Sequence, residues 1–409
     1  MKRKDFLRTT ALGTLVTPFF GYAAAQTSGF TNETFMLEEV PNSVKEVVKI
    51  TSVKVYRVPR AIFIKVETDA GVSGWGEAGH DNPAVVSEVF RSLIKPMALN
   101  KDPFQSEALW HDMLYSGEDL GLSGVLTAAL AGFDNALWDL KGKLLNMPVY
   151  KLLGGAGMEK MKVYGSFGVD NGRKSTKKAQ AAAQEFLDNG YDTFKLRMQI
   201  RIKNRNPEND LTEKYVKAVR EVIGDNNTLF VDFNYGYTAG KAVEMIKRLY
   251  EKYNVSLVEE PVHYHDYKAL AEVVQQSPIR IAAGEHQFNR WDFKNLILQG
   301  NVGVLNLDAT KGGGISEMKK AAVLCQAFER EVMVHNARPT LATAASLHLV
   351  ASIFNPARVQ EYGGPRLNMG LQKFFKNYFK VEQNYIYIPQ EPGLGLILDE
   401  KALAEFLDD

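Results

Sequence analysis

Between Lys49 and Ala78 apolar and polar positions alternate. Val53 and Val55, then Ile62, Ile64 and Val66, fall on one face of what reads as paired strands. Asp69-Ala70-Gly71 supplies a turn, so this stretch predicts an antiparallel hairpin unit. The period then lengthens. Over residues 127–145 apolar side chains recur every three or four positions, a helical spacing that Pro148 and Gly154-Gly155 bring to an end. After Lys162 short apolar runs alternate with amphipathic helical stretches. The runs are 162–165, 193–196, 229–233, 256–260, 280–283, 302–307, 332–335 and 358–360. Repeated β-α units predict a parallel sheet, and eight strands close a TIM-type barrel. A doubly wound open sheet is the competing arrangement, but no Gly-x-Gly-x-x-Gly fingerprint opens a helix here.

At 409 residues the chain exceeds what one hydrophobic core usually serves, and the hydrophobic fraction of 45% is that of a globular protein. The 49 Lys+Arg nearly balance 48 Asp+Glu, which removes the electrostatic case for a nucleic-acid or anionic-membrane partner. A single cysteine, Cys325, excludes an internal disulfide framework and a multi-thiolate zinc site. Lys2, Arg3, Lys4 and Arg8 precede an apolar run over 11–25 that ends in Ala23-Ala24-Ala25, a pattern that predicts a signal peptide over 1–25 and an exported, periplasmic protein. The stretch Arg3-Lys4-Asp5-Phe6-Leu7-Arg8 resembles a twin-arginine signal with Lys4 in the second arginine's place. Residues 26–48 read as a linker, and no later segment has the length and apolarity of a membrane span.

Polar residues collect where the predicted strands end, the face on which such barrels carry catalysis. Lys195 and Arg197 follow the second strand and Asp232 and Asn234 the third. Glu259-Glu260-Pro261 ends the fourth, Gly284-Glu285-His286 the fifth, and Asp308 and Lys311 the sixth. His335-Asn336 and Glu361 end the last two. A lone carboxylate at a strand end is ordinarily a helix cap, but a set recurring every 23–27 residues keeps step with the β-α repeat and predicts one site. Carboxylates without clustered Cys or His make an all-oxygen site suited to Mg²⁺, with Mn²⁺ left open. His335 and Asp308 read as a dyad, the carboxylate orienting the imidazole and raising its basicity.

The ordered set Lys195-x-Arg197, Asp232-x-Asn234, Glu259-Glu260-Pro261, Gly284-Glu285-His286, Asp308-x-x-Lys311-x-Gly313-Gly314 and His335 resembles the enolase superfamily, in its mandelate racemase subgroup. Gly74-Trp75-Gly76-Glu77, Ala136-Leu137-Trp138-Asp139 and Pro392-Gly393-Leu394-Gly395 are similar to the same family. The resemblance implies a modified (β/α)₇β barrel over 162–375 under an α+β cap built from 49–161, with the tail 376–409 returning to the cap. It implies one Mg²⁺ per subunit on Asp232, Glu259 and Glu285, with Glu260 the alternative on the fourth strand. It gives Lys195 a place beside the substrate carboxylate and Glu361 a hydrogen bond to the enediolate. The departure is Arg197, where many relatives carry a second lysine that serves as a base. A guanidinium is a poor base at neutral pH, so one base remains, and one base suffices to remove an α-proton and eliminate a β-hydroxyl. The implied activity is dehydration of a sugar acid. A racemase or epimerase and an anhydro-sugar-acid cycloisomerase stand as alternatives on the same scaffold, and an ion pair to a neighbouring strand is the structural reading of Arg197. Substrate contacts are expected from Asn234, Tyr235, His286, Asn336, Arg338 and His80, and members of the family assemble as dimers or octamers.

Overall fold

In the computed structural model the residues described are 47–79, 82–155, 157–169, 175–336, 338–363 and 370–408. The strands among them are β1 (Ile50–Val58), β2 (Ala61–Thr68), β3 (Ser73–Ala78), β4 (Lys160–Gly168), β5 (Thr193–Arg197), β6 (Thr228–Asp232), β7 (Val255–Glu259), β8 (Arg280–Ala283), β9 (Val304–Leu307), β10 (Glu331–Val334), β11 (Gln360–Tyr362), β12 (Val381–Glu382), β13 (Tyr385–Tyr387) and β14 (Leu407–Asp408).

The alternation near the N-terminal end folds as read, into an antiparallel sheet ordered β14-β1-β2-β3. Its register sets Val53 against Val66 and Val55 against Ile64, so the five predicted residues share a face. That face packs on the helix Val125–Leu144. Glycine explains how close the helix comes. A Cβ on Gly74 would lie 2.1 Å from Ala136 O, and one on Gly76 would lie 2.2 Å from Gly132 O. The opposite face is buried too. Phe63 and Ala61 pack against Leu371, Phe374, Leu394, Leu396 and Leu403 of the C-terminal segment, and Lys65 Nζ donates to Glu400 at 2.9 Å.

Each of the eight later apolar runs falls on a parallel strand, β4 to β11, and the strands are hydrogen-bonded in order from β10 back to β4 and on to β11. The last seam departs from the expected closed ladder. Between β10 and β11 the backbone contact is an isolated bridge from Val332 to Pro356. Beyond it the buried side chain of Gln360 spans the gap, accepting from Val334 N at 2.8 Å and donating to Val332 O at 3.1 Å and Ala357 O at 2.9 Å. Main-chain polar groups must be satisfied inside a protein, and here one amide does what a third strand bond would do. Inside the strand ring Tyr164, Phe230, Leu257, Ala282, Val304, Met333 and Ala357 form an apolar cluster. Outside it a larger core joins the strands to their helices.

Candidate active site

Side chains along a strand alternate faces, so a residue two positions past an inward apolar one points inward again, one step nearer the strand's C-terminal end. Two past Phe230 is Asp232; two past Leu257 is Glu259; two past Met333 is His335. Lys195 lies in β5, Arg197 ends it, and Glu361 lies in β11. The polar groups therefore stand directly on an apolar floor. Lys195 is 1% exposed, Asp232 1% and Glu361 4%.

Lys195 is the fully buried cation among them. Its Nζ reaches Glu259 Oε2 at 2.8 Å and Glu361 Oε1 at 3.0 Å. Burial alone would neutralise the amine, but those two carboxylates outweigh it and hold its pKa well above the usual lysine value. Glu361 is correspondingly held low, Lys195 overcoming the cost of burial, and its Oε2 also accepts from Asn336 N at 3.0 Å. The other acids are crowded. Burial, with Glu285 and Glu260 nearby and Lys195 opposing, pushes Asp232 up to about 7. Burial also lifts Glu259, against Lys195 and with Asp232 and Glu361 adding to it, to about 8, and burial beside Glu285 and Glu259 raises Glu260 as well. Glu285 goes the other way, down to about 2, because His335 and Lys311 overcome its burial.

The dyad forms as read. His335 Nδ1 lies 2.8 Å from Asp308 Oδ2, and the ring's Nε2 lies 3.2 Å from Glu285 Oε2. Asp308 is held far below the carboxylate range, its bond to His335 overcoming burial. An ionised carboxylate only accepts, so the proton of that contact sits on Nδ1 and Nε2 faces the carboxylates. Burial opposes the charged ring, yet Glu285 and Asp308 carry His335 up to about 8.

Two turns shape the mouth. Asn234, Tyr235 and Glu260 take φ values of 48°, 52° and 44°, a left-handed conformation that costs a non-glycine residue on the order of 1 kcal/mol. Tyr235 N donates to Glu260 O at 2.7 Å and ties the turns together. Aromatic rings line that side. Tyr264 stacks on His286 with centroids 4.4 Å apart and on His263 at 4.4 Å, while Tyr235 meets His286 edge-on at 5.2 Å.

The remaining expected contacts divide. Asn234 spends its side chain on the protein, donating to Asp232 Oδ2 at 2.8 Å and accepting from Gln199 N at 2.8 Å. Asn336 donates to Glu361 O and accepts from Thr343 Oγ1, and Arg338 Nε donates to Glu77. His286 Nδ1 sits 2.6 Å from Glu260 Oε1, and burial lowers its pKa to about 4, leaving a neutral ring at the mouth. His80 lies outside the described residues. Arg197 Nε is buried without a hydrogen-bond partner, and among the described residues no ion pair within 4 Å reaches it, while its charge helps to hold Glu361 low. Three contributors went unread. Tyr164 lies beneath Lys195, whose Nζ is 5.4 Å from the ring, on a first barrel strand with no charged residue at its C-terminal end. His263 and Tyr264 follow Glu259-Glu260-Pro261 after a single residue, Val262, and an aromatic pair in a catalytic-face loop was their signal.

The residues fit a hard divalent cation. Glu259 Oε1 and Glu260 Oε2 are buried and have no hydrogen-bond partner, a costly condition unless something positive meets them. Ligand atoms of Glu260, Glu285 and His286 lie within 4.8 Å of one another. Glu285 is shared between this group and the set Asp232, Glu259 and Glu285.

Buried acids, one pinned lysine and a carboxylate-backed histidine converge where the strands end, an arrangement able to hold a cation and to move a proton beside it. The sequence model of the mandelate racemase/muconate lactonizing enzyme N-terminal domain matches residues 32–154, and that of the enolase C-terminal domain-like family matches residues 178–402. The chain belongs to the mandelate racemase/muconate lactonizing enzyme family of the enolase superfamily. Proteins named D-galactonate dehydratase from Ralstonia pickettii (strain 12J) and Cronobacter sakazakii (strain ATCC BAA-894) are each 34% identical to it. The first aligns over 87% of this chain and 94% of its own length, the second over 86% and 93%. Among solved structures, a 3,6-anhydro-D-galactonate cycloisomerase from Zobellia galactanivorans superposes with a TM-score of 0.78 at 29% identity, over 89% of this chain and all of its own. A mandelate racemase/muconate lactonizing protein from Paracoccus denitrificans PD1222, complexed with magnesium, gives a TM-score of 0.80 at 29% identity, over 88% and 98%.

The expectation of export is corrected. The residues that carried it, 1–25, lie outside the described residues, and no apolar helix of signal character occurs among the described residues. Among the described residues no helix is long and apolar enough to cross a membrane.

Proposed function

We propose that the protein is a magnesium-dependent dehydratase of a sugar acid, working through a single base. The observation that carries this reading is the state of Lys195. Clamped by Glu259 and Glu361, it stays charged and is no base; Arg197 is none either. His335 is left, on the side opened by Asp308.

When bound, a divalent cation on Asp232, Glu259 and Glu285 supplies Lewis-acid stabilisation of the negative charge that develops on the substrate carboxylate. The chain's residues do the rest. Lys195 donates to a carboxylate oxygen and offsets the same charge. His335 Nε2 takes the α-proton while Asp308 holds Nδ1–H. The electron pair of the broken C–H bond forms the C=C bond, and the β-hydroxyl leaves with the proton returned by His335, as water. The enol then tautomerises to a 2-keto acid. Proton transfer of this kind contributes roughly 10²–10⁴-fold. The dehydratase relatives support the reading. The cycloisomerase likeness favours one alternative, in which a ring oxygen leaves instead of hydroxide and no water is lost.

The test is a screen of hexonates, pentonates and 3,6-anhydro acids, D-galactonate among them, with Mg²⁺ and after chelation. A keto product that has lost water and disappears on chelation supports the dehydratase. A keto product of unchanged mass moves the assignment to the cycloisomerase. Epimerised substrate without a keto product rejects the one-base reading.

A further inference from the structure

The loop carrying Asp308 is held by the cap sheet as well as by its own barrel strand. Asp308 Oδ1 accepts from Thr310 N at 2.7 Å, Thr310 Oγ1 at 2.7 Å and Lys311 N at 3.2 Å. Arg338 Nη2 donates to that same Thr310 hydroxyl at 3.1 Å, and Arg338 Nε donates to Glu77 Oε1 at 2.6 Å. Glu77, in β3, is fully buried, and its Oε2 accepts from Thr340 Oγ1 and from Ala342 N at 3.0 Å. Two further contacts fix the approach: Gly79 N donates to Thr310 O at 2.9 Å, and Asn135 Nδ2 donates to Ala309 O at 2.9 Å. A Cβ on Gly79 would come within 2.2 Å of Thr310 Oγ1, so a larger residue would displace the hydroxyl.

The direction of each bond follows from what the groups are able to do. A guanidinium has donors only, so Thr310 Oγ1 must accept from Arg338, and its one proton goes to Asp308. Asp308 Oδ1 is thereby filled by three donors, leaving Oδ2 for the ring N–H of His335. Glu77 supplies the negative charge that keeps Arg338 in place. We propose that Glu77, acting through Arg338 and Thr310, is a positioning residue for the His335–Asp308 pair: the cap sets the tautomer and the aim of the base. Its catalytic meaning rests on the lyase reading above. The geometry does not, and the test uses no substrate.

The full chain is labelled with ¹⁵N-histidine, and the ring N–H of His335, identified by its loss in His335→Asn, is followed by NMR at one pH. In the native protein this proton is shifted downfield and exchanges slowly with water. Glu77→Gln and Thr310→Val should each speed its exchange by at least ~10-fold, while Thr310→Ser, which keeps the hydroxyl, leaves it near the native rate. The ring proton of His348, buried elsewhere against Tyr150, is the internal reference and should not change. Native exchange at His335 in both Glu77→Gln and Thr310→Val would overturn the proposal, as would equal acceleration at His348, which would mark general loosening. If Glu77→Gln does not fold, the Thr310 pair decides alone.

Discussion

Two successive layers inside the barrel are built by the same strands and behave as opposites. The lower consists of Tyr164, Phe230, Leu257, Ala282, Val304, Met333 and Ala357; the upper, two residues beyond the inward residues of β6, β7, β9 and β10, holds Asp232, Glu259, Asn306 and His335. One inward step is roughly 7 Å of strand. The lower layer interlocks, Tyr164 meeting Phe230 edge-on at 5.6 Å. The upper layer is short of partners: Glu259 Oε1 and both side-chain polar atoms of Asn306 are buried and unbonded. The backbone is indifferent to this difference. What it teaches is that the floor makes the site: by excluding water it imposes the desolvation that raises Asp232 and Glu259 and that the carboxylates around His335 must overcome, and it stabilises the fold that the upper layer strains.

Substitutions in the two layers should therefore separate activity from stability. The largest effect is expected at His335→Asn, which should cut turnover by about 10³-fold or more while leaving the melting temperature within a degree or two of native. Phe230→Ala, one layer down, should do the reverse in kind and destabilise by about 3–5 kcal/mol in denaturant titration. His348 gives a pH effect away from both layers. Burial lowers it to about 4 against an ordinary 6.5. The unfolded chain thus takes up a proton as pH falls through 6.5 while the fold does not, and stability is lost between about pH 6.5 and 4. At about 1.4 kcal/mol per unit the loss reaches roughly 3 kcal/mol, and His348→Gln should show a shallower decline over that window than the native chain. Gln360→Leu at the last seam should cost about 2 kcal/mol by stranding Val334 N and two carbonyls. Smallest in stability is Asp232→Asn. Without metal it should melt no lower than native, because a crowded buried acid is gone, though its Mg²⁺ affinity, read by calorimetry, should collapse.

How far the sequence anticipated this differs between the layers. The strands and their inward ends were legible because period and position survive in one dimension: Asp232, Glu259, Asp308 and His335 stand where the β-α repeat sets them.

 The last seam was not legible, since Gln360 reads as an ordinary strand residue until Val334 N needs a partner. Asn234 and Asn336 were read as substrate contacts from their neighbours in the chain, but their amides are used by Asp232, Gln199, Glu361 and Thr343. The link from Glu77 to Arg338 joins residues 261 positions apart, and no local pattern announces it. Glu260 and His286 were each noticed, but their 2.6 Å contact depends on two left-handed turns that nothing in Glu260 or Tyr235 as residue types foretells.

The central claim is that one base, His335, both opens and completes an elimination. The most direct measurement is a reaction in D₂O with Mg²⁺ and the sugar acid that the screen selects, following the substrate α-position and the product together in the native chain and in His335→Asn. The account predicts a keto acid carrying solvent deuterium at the carbon that lost its hydroxyl, and neither product nor α-exchange in the variant. Product formed at the native rate by His335→Asn, or recovered substrate with an inverted, deuterated α-carbon, would contradict it.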